Sequence, residues 1–265
     1  MITSSSNVRV KQLLAWQKKR KVREADAVYI VEGIRMYAEA PEEKVKEVYV
    51  SESFYYKKKE ELQLDKWSKK LEILSDSVYA HVSDTKTPQG VLVVMDQMQY
   101  SMEQILEEKN GVKPLLMVLD NLQDPGNLGT ILRAGEAAGV TGVLMSSDCV
   151  DIYNPKTIRS TMGSIYRVPF VIAPDLQEVF AWFKKQGICS YAAHLKGKGW
   201  YDEQSYAGGT AFLIGNEGNG LSDELSDSAD CLIKIPMEGK VESLNAAMAA
   251  GILMYETARQ RRTGR

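Results

Sequence analysis

Residues 115–140 leave this chain few ways to fold. Leu115–Leu119 is an unbroken apolar run, the pattern of a parallel strand buried on both faces. It leads into Asp120-Asn121 and breaks at Asp124-Pro125-Gly126-Asn127. Apolar residues then recur at helical spacing, with Arg133 among them. A strand that stops in a Pro-Gly turn and restarts as a helix is a βα unit. Its polar turn lies at the carboxyl edge of the strand, where open α/β sheets bind their ligands. Taken alone, the stretch is equally an ordinary piece of scaffold.

The rest of the chain repeats this alternation. In the first half, strands are expected at 27–31, 47–50, 71–74 and 90–95, with helices at 8–21, 33–40, 55–70 and 76–82. These describe a small α/β layer domain over residues 1–100. Residues 101–112 read as a linker, with a helix at Ser101–Lys109 followed by Asn110-Gly111. From residue 113 to 265 about six strands alternate with helices or loops, the pattern of a doubly wound parallel sheet.

Composition narrows the functional classes. With 44% apolar and 26% charged residues the chain is of globular type. A net charge of −2 and a pI near 5.9 advertise no polyanion partner, so any nucleic-acid contact has to be a local basic face. Cys149, Cys189 and Cys231 are spaced about 40 residues apart and form neither a metal-ligand set nor a disulfide framework. His81 and His194 are the only histidines, which disfavours a His/Cys metal site and a Ser-His-Asp triad. No secretory signal is apparent, and the longest apolar stretch, 246–255, is about half of the roughly 20 residues a membrane span needs. A cytoplasmic protein without metal or membrane partners is expected.

The first helix follows several possible N-caps in Ser4-Ser5-Ser6-Asn7 and ends in Lys18-Lys19-Arg20-Lys21, with Lys11 and Arg23 nearby. These cations suit a helix C-terminus, and they would equally suit RNA phosphates.

Three strand ends carry unusual loops: 121–127, 215–222 and 236–245. In a parallel sheet all three open on the same edge. Each mixes glycine with Asn, Glu or Ser, and glycine lets backbone approach a ligand closely. Gly215-Asn216-Glu217-Gly218-Asn219-Gly220 is not the G-x-G-x-x-G dinucleotide fingerprint, and no phosphate-binding G-x-x-x-x-G-K-[ST] loop exists. A tight turn at 215–220 and a helix cap at Ser243 would also account for the residues.

Together, however, the loops resemble the SpoU (TrmH-type) branch of the SPOUT methyltransferases. The first is similar to NxxDPxNxGxxxRxA, running from Asn121 through Arg133, with Gly135 where the family commonly has Ala. The second resembles IGNEGxGLS, intact as Ile214–Ser222, and the third IPMxGxxxSLNxxxAxxxxxYE, intact from Ile235 to Glu256. Arg159–Ser164 with Arg167-Val168-Pro169 is similar to a further family stretch. The match covers residues 113–265. The first half resembles, more weakly, the family's substrate-binding domain, an α/β fold like that of some ribosomal proteins.

The resemblance implies a fold: a C-terminal parallel-sheet methyltransferase domain with a deep trefoil knot, preceded by a smaller α/β RNA-binding domain. It implies an activity, transfer of a methyl group from S-adenosylmethionine to a ribose 2′-OH, with ribosomal RNA favoured by the two-domain layout. Transfer RNA is the alternative substrate, and a non-catalytic RNA-binding or ribosome-assembly protein the alternative class. Cofactor contacts are implied at His194, Leu195, Gly215, Asn216, Glu217, Ile235, Met237, Ser243 and Leu244. The catalytic group would be Arg133 with Asn127, Glu217, Ser243 and Asn245. Arg133 is often taken as the base in this family, although a cationic arginine could instead hold a phosphate or steady the developing alkoxide. RNA contacts are expected from Lys11, Lys18, Lys19, Arg20, Lys21, Arg23 and Arg35. A homodimer is implied, with the small-residue face of the C-terminal helix (Ala246, Ala247, Ala249, Ala250, Met254) equally a dimer surface or an internal core face.

Overall fold

Alternating apolar strands and capped helices fold the chain around two sheets, seen in a computed structural model that describes residues 1–108 and 111–264. The chain opens with α1 (Val8–Lys18), α2 (Arg20–Ala25), β1 (Val28–Glu32) and α3 (Ile34–Ala38). It continues with β2 (Val45–Ser51), α4 (Glu52–Lys58), β3 (Leu71–Leu74), α5 (Asp76–Val82) and β4 (Val91–Asp96). After α6 (Met102–Leu106) come β5 (Leu115–Leu119), α7 (Pro125–Ala138), β6 (Gly142–Ser146), α8 (Pro155–Thr161), β7 (Phe170–Ala173) and α9 (Gln177–Gln186). The last elements are β8 (Ile188–Ala193), β9 (Gly199–Trp200), β10 (Gly209–Ile214), α10 (Asp223–Ser228), β11 (Cys231–Lys234) and α11 (Ala246–Thr263).

Two compact units result. The first comprises Met1–Met98 and Asp151–Tyr166, the second Gln99–Val150 and Arg167–Arg265. In the first unit the sheet order is β1-β4-β2-β3, antiparallel except for β2 beside β3. Val10, Leu13 and Trp16 of α1 and Val78, Tyr79 and Val82 of α5 close one face of it. Asn7 is the residue that caps α1, accepting from the Arg9 N–H at 2.9 Å.

The segment 151–166 completes this unit. Tyr153 stacks on Tyr29 with ring centroids 4.6 Å apart, and its hydroxyl accepts from the Met98 N–H at 2.8 Å. Asp151 pairs with Arg23, Arg159 with Asp84, and the Tyr166 hydroxyl donates to the Met36 carbonyl at 3.0 Å.

The helix expected at 55–70 is shorter than its periodicity suggests. It starts at Glu52 and stops at Lys58, Gln63 adopts a left-handed φ of 50°, and a 3-10 turn follows at Leu64–Trp67. The indole Trp67 N–H donates to the Tyr37 hydroxyl at 2.9 Å, which donates to the Leu62 carbonyl at 2.8 Å. Burying Leu64 and Trp67 against that anchor outweighs continuing a charged helix. The helix expected at 101–109 ends at Leu106, and its last expected residue, 109, lies outside the described residues, as does 110 of the turn expected after it.

The second unit holds a 7-stranded sheet in the order β7-β6-β5-β10-β8-β11-β9, every neighbouring pair parallel. The short β9 lies in a stretch expected to be loop. From β5 the chain goes first to β6 and β7 on one side and then to β8–β11 on the other. The order therefore reverses between β5 and β10, which pair from Leu115↔Thr210 to Leu119↔Ile214. At such a switch the loops leaving the two strands part and open a crevice.

Candidate active site

Helix α7 starts where it does because Asp124 caps it, its carboxylate accepting from the Asn127 N–H at 2.8 Å, with Pro125 at the first turn. This capping turn faces the loop after β10. The Glu217 carboxylate accepts from the backbone N–H of Gln123 and of Asp124, each at 3.0 Å, and from Asn127 Nδ2 at 2.9 Å. Burial would raise the Glu217 carboxyl; the Gln123 N–H, Asn127 and the Asp124 N–H outweigh it and hold the group below its ordinary value.

The third loop joins through α11. Asn245, and not Ser243, is its N-cap, with Oδ1 accepting from the N–H of Ala247 at 2.9 Å and of Met248 at 3.2 Å. Its Nδ2 donates to Asn127 Oδ1 at 2.9 Å. Chemistry fixes both amide orientations: an oxygen must face the cap N–H groups and a nitrogen must face the carboxylate. Glu217, Asn127 and Asn245 thus form a chain of hydrogen bonds across all three loops.

The loop after β10 is itself rigid. Asn216 and Gly220 exchange backbone hydrogen bonds at 3.0 and 2.9 Å. Asn216 Oδ1 accepts from the N–H of Gly218 and Asn219, while its Nδ2 donates to the Asn121 carbonyl at 2.8 Å. A Cβ at Gly215 would lie 2.2 Å from the Gly220 carbonyl carbon, so only glycine fits under this turn.

Beside the network lies a cleft of about 380 Å³, walled by strand ends and by all three segments 193–196, 214–221 and 233–249. His194, Leu195, Gly215, Asn216, Glu217, Ile235, Met237, Ser243 and Leu244 all line it. Ile235 and Leu244 are half-buried in its wall. The His194 ring is held by the Lys196 N–H, which donates to Nδ1 at 3.0 Å. Lys196 and Lys234 also line the cleft, and the Lys234 ammonium sits 4.1 Å from the Trp200 ring centroid.

Of the five expected catalytic residues, Asn127, Glu217 and Asn245 are hydrogen-bonded together. Glu217 and Ser243 also line the cleft, and Arg133 lies on the exposed face of α7, six residues beyond Asn127. Its guanidinium has no hydrogen-bond or ion-pair partner among the described residues. Gln123 and Asp124 were missed by reading the sequence because they act through backbone N–H groups, which leave no side-chain signature.

Among the expected RNA contacts, Lys11, Lys18, Lys19, Arg20, Lys21 and Arg35 are exposed on the first unit. Arg20 and Arg35 are engaged by Glu24 and Glu39. Arg23 does not reach solvent. It is 4% exposed, and its guanidinium donates to the Trp16 and Gln17 carbonyls and to Asp151. Both terminal nitrogens are satisfied by these acceptors while Nε is buried without a partner, which makes this residue a tie within the unit.

Residues 114–255 match the SpoU rRNA Methylase family, and residues 7–93 match the MRM3-like substrate binding domain. The chain belongs to the SpoU rRNA Methylase family. A 23S rRNA (guanosine(2553)-2′-O)-methyltransferase of Bacillus subtilis is 31% identical over 96% of this chain and 97% of its own. A 23S rRNA (uridine(2479)-2′-O)-methyltransferase of Streptomyces viridochromogenes is 28% identical over 99% of this chain and 93% of its own. Among solved structures, an AdoMet-bound rRNA methyltransferase from Sinorhizobium meliloti superposes with a TM-score of 0.84 at 29% identity, covering 98% and 97% of the two chains. Both units therefore have counterparts in these relatives. Among the described residues, no group of three or more His, Cys, Asp or Glu is placed to hold a metal, and no helix is long and apolar enough to cross a membrane.

Proposed function

We propose that this chain methylates a ribose 2′-OH in ribosomal RNA, using S-adenosylmethionine. The observation that carries the reading is the Glu217–Asn127–Asn245 chain, which ties three loops together at the cleft that Glu217 lines. The cleft fits the cofactor. Its lining sets the apolar Ile235, Met237 and Leu244 beside the polar His194, Asn216 and Ser243, a mixture suited to a flat heterocycle with a charged tail. His194, Leu195, Gly215, Asn216, Ile235 and Leu244 would hold the cofactor, with Met237 against its flat base. When bound, it supplies an electrophilic methyl on sulfonium.

The chain's own residues do the rest. The 2′-oxygen becomes nucleophilic as its proton leaves, so charge develops there. A guanidinium stays protonated at any useful pH, so we assign Arg133 to steadying that oxygen or the neighbouring phosphate, and not to taking the proton. Asn127 and Asn245, pinned by Glu217, fix the start of α7 and hence the position of Arg133. The exposed lysines of the first unit supply phosphate contacts. The reading includes a trefoil knot with 215–222 and 236–245 as its loops, and a cytoplasmic site of action.

Labelled cofactor and ribosomal RNA lacking its natural methyl groups test the reading. Transfer to a ribose is expected, and Arg133→Ala should reduce it by about a hundredfold or more while cofactor affinity stays unchanged. Activity within a few-fold of wild type would remove Arg133 from the chemistry, and no transfer by the wild type would remove the function.

We also propose a homodimer. The small-residue face of α11 is used within the chain, where Ala246, Ala247, Ala250 and Met254 are buried, so the candidate surface moves to the exposed Met248 and Tyr255, which lie seven residues apart and share one face that a second copy would cover. Tyr255→Glu is expected to yield monomers by light scattering.

A further inference from the structure

We propose that a cleft beside α4 in the first unit is a pocket for one unpaired RNA nucleotide, with the base inside and its phosphate on Lys57. This rests on the reading that the chain acts on RNA. The cleft is a cavity of about 780 Å³, in the range of small-ligand sites. It lies wholly within the first unit, remote in sequence from the three loops of the second.

Its walls match a nucleobase in three respects. The first is an apolar face. Phe54, Ile34 and Pro88 line the cleft, and a Cβ at Gly90, where φ is +95°, would lie 2.5 Å from Phe54 Cβ. Glycine at that point lets the buried Phe54 pack against the strand end as the floor, with Ile34 and Pro88 the more open apolar wall. The second is an oriented donor. Gln89 Oε1 accepts from the Ile34 N–H at 2.8 Å, so its amide nitrogen is left to donate and has no partner among the described residues. The third is an oriented acceptor. Asp76 Oδ1 is fixed by the Ser53 N–H at 3.1 Å and the Ser53 hydroxyl at 2.8 Å, and those two bonds hold the carboxyl below its ordinary value. A fixed donor and acceptor over an apolar floor read the hydrogen-bonding edge of a flat heterocycle, which is how single-stranded RNA is recognised.

The charge beside it fits the backbone of the same nucleotide. Helix α4 and its continuation read Phe54-Tyr55-Tyr56-Lys57-Lys58-Lys59. Lys58 is paired with Glu61 and Lys59 with Asp65, but Lys57 is exposed, lines the cleft and has no partner among the described residues. Tyr56 is 77% exposed, a flat surface on which a neighbouring base can stack. Exposed aromatic faces next to cations suit single-strand binding, where rings take bases and ammonium groups take phosphates. A charge run alone would be a solvated helix face; the cavity with its oriented amide and carboxylate distinguishes this one.

Ala80→Trp fills the cleft from an exposed position on α5, and Lys57→Glu reverses the phosphate contact. The full-length protein is titrated with a short labelled single-stranded RNA, with a hairpin of equal length, and with free GMP and AMP. Each variant is expected to weaken single-strand binding by about tenfold or more, with hairpin and cofactor affinities unchanged. Single-strand binding by Ala80→Trp at wild-type affinity overturns the pocket, as does equal weakening of the hairpin. A mononucleotide that binds more tightly than the strand overturns RNA as the source. If circular dichroism shows Ala80→Trp misfolded, Lys57→Glu alone decides, because its side chain is exposed. Methyl transfer by the wild type is scored separately, so a failed function and a failed pocket give different results.

Discussion

Glu217 binds three donors with two oxygens, and that arithmetic decides what a substitution there does. In Glu217→Gln one oxygen becomes an NH₂ that faces a backbone N–H, donor against donor. A loss of about 1 kcal/mol in denaturant unfolding is expected, together with a fall in methyl transfer. The pH dependence has a definite sign. A carboxyl whose folded value lies below its unfolded one contributes stability above the unfolded value and loses it as pH falls through the folded value. With an ordinary value of 4.5, the Glu217 contribution is complete above that pH and disappears below it. The wild-type melting temperature should therefore fall faster than that of Glu217→Gln as pH is lowered from 4.5. Parallel curves would mean that the carboxylate is not the holding group.

Elements here begin and end at residues that also serve the site. Asn245 starts α11 and closes the loop network with one amide, oxygen to the helix and nitrogen to Asn127. The two duties separate experimentally. Asn245→Asp keeps a good cap but presents oxygen to oxygen at Asn127, so stability should hold within about 0.5 kcal/mol while transfer falls. Asn245→Ala loses both, and should cost about 1 kcal/mol in addition to activity. Equal activity in Asp and wild type would show that only the cap matters. These starts were partly readable: Pro125 and Pro155 do sit in first turns, as their sequence neighbours suggest. Ser243 was the natural reading of the last cap because Ser-Leu-Asn offers two capping residues, and only packing selects the second. The short α4 was illegible for the same reason: nothing local in Leu62-Gln63-Leu64 reveals the Tyr37 hydroxyl that ends it.

For the whole molecule, the succession of strands along the chain was legible, apart from the short β9, because each apolar run is complete in itself; their order within each sheet was not, while the parallel sheet follows from helices between strands. The loops were legible because glycine, Asn and Glu recur at strand ends. What crosses between distant segments was not. Arg23 looked like one more surface cation in a basic run, yet its acceptor, Asp151, is 128 residues away. Their side chains are only 5% and 14% exposed, so removing one leaves a buried charge alone. Arg23→Met is expected to lower stability by about 3 kcal/mol, with Asp151→Asn in the same chain restoring part of it. Additive losses in a double-mutant cycle would show that the two do not act as a pair.

The excursion of residues 151–166 into the first unit sets a timetable. A chain emerges from the ribosome N-terminus first, and domains fold as they appear. Here the first 98 residues appear without Tyr153, Asp151 and α8, so the buried Arg23 must wait for its counter-ion while β5, α7 and β6 are made. The earlier unit is therefore finished by a piece of chain delivered from within the later one.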